Sequence, residues 1–321
     1  MEIESIEYVP LYETMVVIRE FEEITIRGYR RGELPGLVHA SNGQEAVSVG
    51  VVSRLRSDDT IVTTHRAHGH CLAKGMSAFQ MMAELLGRKS GCCRGKGGSM
   101  HLADASRGVI GANGIVAGGI PIAVGAAYSA HAARNGRVCV AFFGEGAMNQ
   151  GVAYEAMNLA SLWKLPVLFV CEANELIEYS RAEELIAGSL VDRAKAFGIP
   201  AWAVDGMDVW KVTASVDKAL ETVRGGLGPV FLEMRTYRFH GHHVADVDRN
   251  YRSREEVALQ RKRDPLPFTR RRLTEMQLAS DAQLAEIESH AREAMEAAYS
   301  AALAEEEPSL STLDEFVFQV S

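Results

Sequence analysis

The sequence predicts an α/β protein built on a doubly wound, mostly parallel sheet, with helices at its N- and C-terminal ends. Three observations predict it. Short apolar runs alternate with helix-length amphipathic stretches from position 138 to 239, the pattern of successive β-α-β units. Within that region Gly144-Glu145-Gly146 closes one apolar run and Asn174 closes the next, 29 positions after Glu145. The intervening NQGVAYEAMNLASLWKLP supplies one helix and a proline-led strand start, so the two strands are parallel neighbours with their ends side by side. Third, 321 residues with 47% hydrophobic content carry enough apolar material for a packed core. No repeat, low-complexity block or linker divides the chain, which reads as a single domain, 1–321.

The elements follow in order. A first helix runs from about Leu11 to Tyr29, with Met15, Ile18, Phe21 and Ile24 on one face. Helices follow at Gly43 to Leu55 and Ala78 to Leu86. The stretch GCCRGKGGSMH, Gly91 to His101, holds too much glycine for a regular element and reads as a working loop. Gly114 to Ala133 is apolar but rich in Gly and Ala, and Pro121, Tyr128 and His131 make it a poor bilayer segment. It reads as a buried helix packed on another helix, because Gly118, Ala123, Gly125, Ala126 and Ala127 permit close approach; positions 118–133 are the candidate assembly surface. Strands are expected at Val138 to Phe143, Pro166 to Cys171, Ala201 to Val204 and Pro229 to Phe239, with helices near 149–163, 191–197 and 208–224. The tail, Ser280 to Glu306, is one amphipathic helix with the stripe Leu284, Ile287, Ala291, Met295, Ala298 and a capping box from Ser280 and Gln283.

Composition excludes several classes. A net charge of −8 and a pI near 5.7, without a basic stripe, argue against a nucleic-acid surface. Five cysteines, Cys71, Cys92, Cys93, Cys139 and Cys171, are an odd number without metal-site spacing, which reads as structural thiols in a reducing cytoplasm. The Cys92-Cys93 pair reads as part of a loop or core in preference to a redox site. Met1 to Glu7 is acidic, without the pattern of a secretory or transit signal. The expectation is a cytoplasmic protein that needs no membrane.

A carboxylate at Glu145 and an amide oxygen at Asn174, on adjacent strand ends and flanked by glycines at a helix start, suit a hard magnesium ion carrying a diphosphate. Gly-Glu-Gly alone is an ordinary turn. With Asn174 at its spacing, it is similar to the thiamine diphosphate motif. HRAHGH at 65–70, GRKSGCCRGKGGSMH at 87–101, GANGIVAGGIP at 111–121, VDGMD at 204–208, HGHH at 240–243 and YRSREE at 251–256 accompany it in order. Together they resemble, over nearly the full length, the alpha subunit of the first component of 2-oxo acid dehydrogenase complexes. HRAHGHCLAKG, the GEG variant, HGHHVADVD and EYS at 178–180 most resemble the acetoin dehydrogenase branch.

The resemblance implies a thiamine diphosphate-binding fold and a set of roles. Magnesium would be held by Glu145, Asn174 and the backbone carbonyl of Leu176. Gly144, Gly146 and Ala147 would line the diphosphate, His65 and Arg66 would reach it, and Gly114 and Val116 would meet the aminopyrimidine through their backbone. His242 matches the histidine beside the reactive carbon and is the candidate for acid-base work or stabilisation of an intermediate, with His240 and His65 as further catalytic candidates. His68 and His70 are weaker candidates; His39, His131 and His290 read as structural. A zinc site among these histidines has no supporting carboxylate or cysteine spacing.

The family also implies a separate beta subunit that completes the cofactor site in an alpha2beta2 heterotetramer. Its product would be an acyl group, cleaved from a small oxo or acyloin substrate and delivered to a lipoyl-bearing acyltransferase component. Some positions depart from the pattern. Ala173 stands where relatives carry a second Asn, Leu176 where Tyr is usual, and His243 where mammalian relatives carry a regulatory serine, so that switch is expected to be absent. Two alternatives remain open at this point: a recruited acyl transferase or acyloin-forming enzyme without a lipoyl partner, and a non-catalytic assembly subunit.

Overall fold

The computed structural model describes residues 8–246 and 251–315. The acidic segment 1–7 and positions 247–248 of the HGHHVADVD motif lie outside the described residues. The strands are β1 (Thr60–Thr64), β2 (Val109–Asn113), β3 (Cys139–Gly144), β4 (Val167–Ala173), β5 (Leu176–Ile177), β6 (Ser180–Arg181), β7 (Ala201–Asp205) and β8 (Val230–Arg235). The helices that precede the second strand are α1 (Tyr8–Arg30), α2 (Glu45–Val52), α3 (His68–Ala73) and α4 (Ala78–Leu85). Between β2 and β8 lie α5 (Gly119–Ala133), α6 (Gly151–Leu162), α7 (Ala182–Leu185), α8 (Leu190–Lys195) and α9 (Val209–Arg224). The chain ends with α10 (Arg254–Arg261), α11 (Pro265–Glu275) and α12 (Asp281–Leu303).

Six strands form one sheet in the order β2-β1-β3-β4-β8-β7, and every pairing in it is parallel. β5 and β6 make a separate antiparallel hairpin. The period-2 alternation of strand side chains divides the core between the two faces of the sheet. Val140, Phe142, Leu168 and Val170 point to the face covered by α1, α2, α4, α9 and α12, whereas Ala141, Phe143, Phe169 and Cys171 point to the face covered by α5, α6 and α8. Helices on both faces make the sheet doubly wound, as expected. α1 buries Met15, Ile18, Phe21 and Ile24 and packs against α12. The capping box of α12 forms from Ser280 and Gln283.

Several boundaries differ from the expectation for physical reasons. β1, TIVTT, and β2, VIGAN, were not expected as strands: three threonines in one, and a Gly and an Asn in the other, break the apolar signature. The last expected strand stops at Arg235, because the chain then leaves the sheet: Thr236 N donates to Ala173 O, its hydroxyl to Gly43 O, and Phe239 N to Asn42 O. The helix expected from 149 begins at Gly151, after a 3-10 turn over Glu145–Asn149. α5 begins at Gly119, so positions 114–118 are loop, and the helix is not buried all round: it packs on β1, β3 and α6 while Ile122 and Tyr128 face outward. Its closest approach is to the sheet, where a Cβ on Gly119 would stand 3.0 Å from Val62; a Cβ on Gly125 would meet open space. Among the described residues no helix is long and apolar enough to cross a membrane.

Candidate active site

Strand order reverses between β1 and β3: the chain moves outward from β1 to β2, then back across to β3 and β4. Ligands of open α/β sheets bind outside the carboxyl ends of the strands at such a switch point. A cavity of about 510 Å³ opens there, lined from β1 by Thr64, His65 and Arg66, and from beyond β3 by Gly144, Glu145, Gly146 and Ala147. Its volume suits a cofactor-sized molecule.

The register brings the two halves of the acidic motif together. Gly144 pairs with Glu172 across β3 and β4, which sets Glu145 and Asn174 just past adjacent strand ends. Glu145 is 2% exposed and its Oε1 has no hydrogen-bond partner. Burial pushes its carboxyl up to about 8, against the opposing pull of backbone amides at Asn174, Glu175 and Leu176. Asn174 is oriented from both ends: Nδ2 donates to Gln44 Oε1 at 3.2 Å, and Oδ1 accepts from Leu176 N at 3.3 Å. Between them Glu175 holds a φ of +69°, a left-handed conformation that non-glycine residues avoid. That strained residue turns the chain so that Asn174 and Leu176 both line the cavity.

The same cavity also carries cations. Arg66 and Arg238 both line the cavity, are almost wholly buried, and have no carboxylate partner among the described residues. Burial, with Arg238 as a further cause, brings Arg66 down to about 9. Burial and the nearby Arg252 also lower Arg238. Arg66 spends its terminal nitrogens on backbone, donating to Ala40 O at 2.6 Å and His242 O at 3.0 Å, so what it offers the cavity is charge. Arg238 donates to Glu178 O at 3.0 Å and keeps its buried Nε unpartnered. Two buried guanidiniums without an ion-pair partner and a buried carboxyl with a partnerless oxygen line one cavity, which leaves a place for an anion and a place for a cation. A metal diphosphate supplies both, so the residues present fit a magnesium-bound diphosphate.

The remaining expected residues divide. Gly114 and Val116 line the cavity on the loop between β2 and α5. This rim is exposed: Ile115 is 74% and Val116 52% accessible. His65 and His242 line the cavity as well. Burial, then Arg66, pushes His242 down to about 3, and the same leading causes bring His65 to about 3, so both rings are neutral near pH 7. His240 is a correction: it does not line the cavity, and its Nε2 lies 3.7 Å from Glu23 on α1, because Arg252 draws the His240 carbonyl to the far side of the segment. His68 and His70 are buried structural groups, bonded to Glu22 and Ser99 and to Thr63 and Glu172 respectively. The glycine-rich loop contributes Met100 to the lining.

Sequence reading missed Gln44, Arg238 and His39. Gln44 and Arg238 carry no motif of their own, although Arg238 stands just ahead of HGHH, where a basic residue was a usable signal. His39 was read as structural, yet it lines the cavity and its Nδ1 is buried without a partner.

Fold and site together define an α/β protein with a cofactor-sized cavity at the carboxyl end of a parallel sheet. Comparison with known proteins makes the class specific. Residues 13–311 match the dehydrogenase E1 component family, and the chain belongs to that family. It is 40% identical over 316 residues to the pyruvate dehydrogenase E1 component subunit alpha of Porphyra purpurea, covering 96% of this chain and 92% of that protein. It is 45% identical over 247 residues to the alpha subunit of acetoin:2,6-dichlorophenolindophenol oxidoreductase of Bacillus subtilis (strain 168), covering 77% and 74%. The corresponding Cupriavidus necator subunit is also 45% identical, over 248 residues.

Proposed function

We propose that this chain is the alpha subunit of a thiamine diphosphate-dependent dehydrogenase of the acetoin or pyruvate type, folded as one cofactor-binding domain and acting in the cytoplasm. The observation that carries this reading is the buried, partnerless Oε1 of Glu145 beside Asn174, in a cavity that Arg66 and Arg238 also line. Glu145, Asn174 and the carbonyl of Leu176 would hold Mg²⁺, a hard ion that would neutralise the charge of a bound diphosphate. Gly144, Gly146 and Ala147 give the diphosphate close approach to the backbone, while Arg66 and Arg238 balance its charge. Gly114 and Val116 support the aminopyrimidine.

When bound, thiamine diphosphate supplies the electron sink that lets a carbon-carbon bond of a small oxo or acyloin substrate break. The chain's own part is orientation, charge and proton control. His242 and His65, neutral at working pH, donate a hydrogen bond to developing negative charge on a substrate oxygen or accept a proton at a free ring nitrogen. Asp246 accepts from His242 N at 2.7 Å and fixes the turn that presents this ring.

The exposed apolar rim at Ile115 and Val116 argues that the cavity is closed by another chain. We assign that role to a beta subunit in an alpha2beta2 heterotetramer, with the outward face of α5 as part of the assembly surface and a lipoyl-bearing acyltransferase as acyl acceptor.

The test is calorimetric titration of the reconstituted complex with thiamine diphosphate, with and without Mg²⁺. Assays of acetoin, pyruvate and branched 2-oxo acids with an artificial electron acceptor follow. Magnesium-dependent binding and turnover of one of these substrates are expected. A complex that assembles but does not take the cofactor ends the proposal.

A further inference from the structure

One cluster at the rim does more than the cofactor reading requires. His39, His65, His242 and His243 pack against one another, with ring centroids of His39 4.7 Å from His65, 5.0 Å from His242 and 5.9 Å from His243. His65, His39 and His242 each offer a ring nitrogen, and these three atoms lie within 4.8 Å of one another. His39 is 5% exposed and its Nδ1 has no partner, a buried orphan that calls for a ligand.

The three residues come from distant parts of the chain, the segment before α2, the end of β1 and the segment after β8. One side chain ties them together. Arg66, next to His65, donates to the carbonyl of Ala40, next to His39, and to the carbonyl of His242 itself. The cluster is thereby held in place before any ligand arrives.

The chemistry of the donors selects the ion. Burial first, and then Arg66, keep all three rings neutral, His39 down to about 2, which is the form that binds metal. The facing charged groups are Arg66 and Arg238, which oppose a bare cation and favour an anionic fourth ligand, with Arg238 Nη1 3.4 Å from His242 Nδ1, while Asp246 is engaged by His242 N and Tyr251 Oη. Without a free carboxylate, a hard ion gains little here. Imidazole nitrogens suit zinc and its neighbours in the transition series. Tetrahedral coordination asks for nitrogens roughly 3.3 Å apart, so the rings must close from a spacing of up to 4.8 Å, and the fourth position is left for hydroxide or another anion.

We propose that His39, His65 and His242 form a second metal site, which takes a zinc-class divalent ion through three imidazole nitrogens and is mutually exclusive with the thiamine cofactor. The exclusion rests on the cofactor reading above; occupation of the histidines does not. Sequence spacing could not reveal the site, because no two of the three ligands share an element.

The test uses the full chain with saturating Mg²⁺, so that Glu145 and Asn174 do not capture the added ion. Zn²⁺ is followed by calorimetry and Co²⁺ by its visible spectrum. One equivalent is expected, with the intense bands of four-coordinate cobalt. Zn²⁺ should also shield His39, His65 and His242 from carbethoxylation, read by mass spectrometry. His39→Gln should weaken binding at least about tenfold, and His131→Gln, an exposed residue far from the cluster, should leave it unchanged. If His39→Gln fails to fold, the footprint on the parent chain decides.

No binding, or binding that leaves these three rings reactive, overturns the site. In the complex with the beta subunit, thiamine diphosphate should lower zinc affinity in proportion to its own occupancy. Cofactor binding with zinc affinity unchanged overturns the exclusion. Failure of the zinc-free complex to bind cofactor counts against the functional reading alone, and the zinc titration of the chain still judges the site.

Discussion

Asn174 Nδ2 donates to Gln44 Oε1 at 3.2 Å, across 130 residues of sequence. Gln44 immediately precedes α2 and is buried, so the bond couples the helical layer to the end of β4. It settles which end of the Asn174 amide faces the cavity. With its nitrogen spent on Gln44, the amide presents oxygen, the atom that a magnesium ion needs.

Gln44→Leu should therefore weaken magnesium-dependent cofactor binding without touching a ligand. One buried amide bond is lost and Asn174 Nδ2 is left unsatisfied, at a cost of about 1–2 kcal/mol. Titration calorimetry should show affinity reduced roughly 5- to 30-fold, with the far-ultraviolet spectrum of the protein retained. Unchanged affinity would mean that Asn174 needs no such orientation.

Glu145→Gln should separate ligand binding from folding. The orphaned Oε1 means that this carboxylate contributes no hydrogen bond to the empty fold through that atom, and a neutral isostere removes the cost of burying charge. Thermal unfolding without ligands should occur at or above the parent temperature. Magnesium and thiamine diphosphate, at 100 times their dissociation constants, should stabilise the parent complex by about 2.7 kcal/mol per ligand and the variant by almost nothing. An equal rise in both would remove Glu145 from the metal site.

How much of this was legible in the sequence depends on the signal each residue carries. The Glu145 and Asn174 halves were readable because a helix of fixed length between two apolar runs forces parallel neighbours, and β3 and β4 pair accordingly. Burial on both faces of the sheet was readable from the unbroken apolar runs VCVAFF and VLFVC. β1 and β2 were not, because threonine, glycine and asparagine carry little hydrophobic signal; what makes these segments strands is the edge of β3 beside β1, and then the edge of β1 beside β2. His240 and His242 were indistinguishable as letters in one tetrad. Only the turn held by Asp246 and Arg252 sends one ring to the cavity and the other toward Glu23. Arg238, Gln44 and His39 owe their importance to contacts between distant segments, which periodicity does not encode.

Glu84 organises the glycine-rich loop. Its carboxylate accepts from the amides of Cys93 and Gly95 at 2.8 Å each, Gly97 at 2.7 Å and Gly98 at 3.0 Å. A Cβ on Gly91 would stand 2.3 Å from the same carboxylate, so the loop closes around this side chain. Glu84→Ala leaves several amides without an acceptor and should cost about 3 kcal/mol or more, since bonds to a charged acceptor are individually worth about 1.5–3 kcal/mol. Urea unfolding should show the loss, and trypsin should cut faster after Arg94 and Lys96. Parent-like stability and cleavage would show that the loop is held by other contacts.

The acid limb of stability should report on Glu22. This buried carboxylate accepts from the amide and hydroxyl of Ser41 at 2.8 Å each and lies 2.9 Å from His68 Nδ1, whose Nε2 reaches Ser99 of the glycine-rich loop. Burial alone pushes its carboxyl up, but His68 and Ser41 outweigh that push and leave it below the ordinary 4.5. A carboxyl held lower in the folded state than in the unfolded state contributes its stability fully above the unfolded value. That contribution is lost as pH falls through the folded value. The parent should therefore lose stability steeply below about pH 4.5, taking up one proton at this site as it unfolds. Glu22→Gln should be less stable at pH 7 by roughly 3 kcal/mol, because a charged acceptor of buried hydrogen bonds worth about 1.5–3 kcal/mol each is replaced by a neutral one, and should decline less steeply in acid. Urea midpoints measured from pH 7 down to about pH 2.5 decide it: parallel curves for parent and variant would show that Glu22 is not depressed, and converging curves that it is.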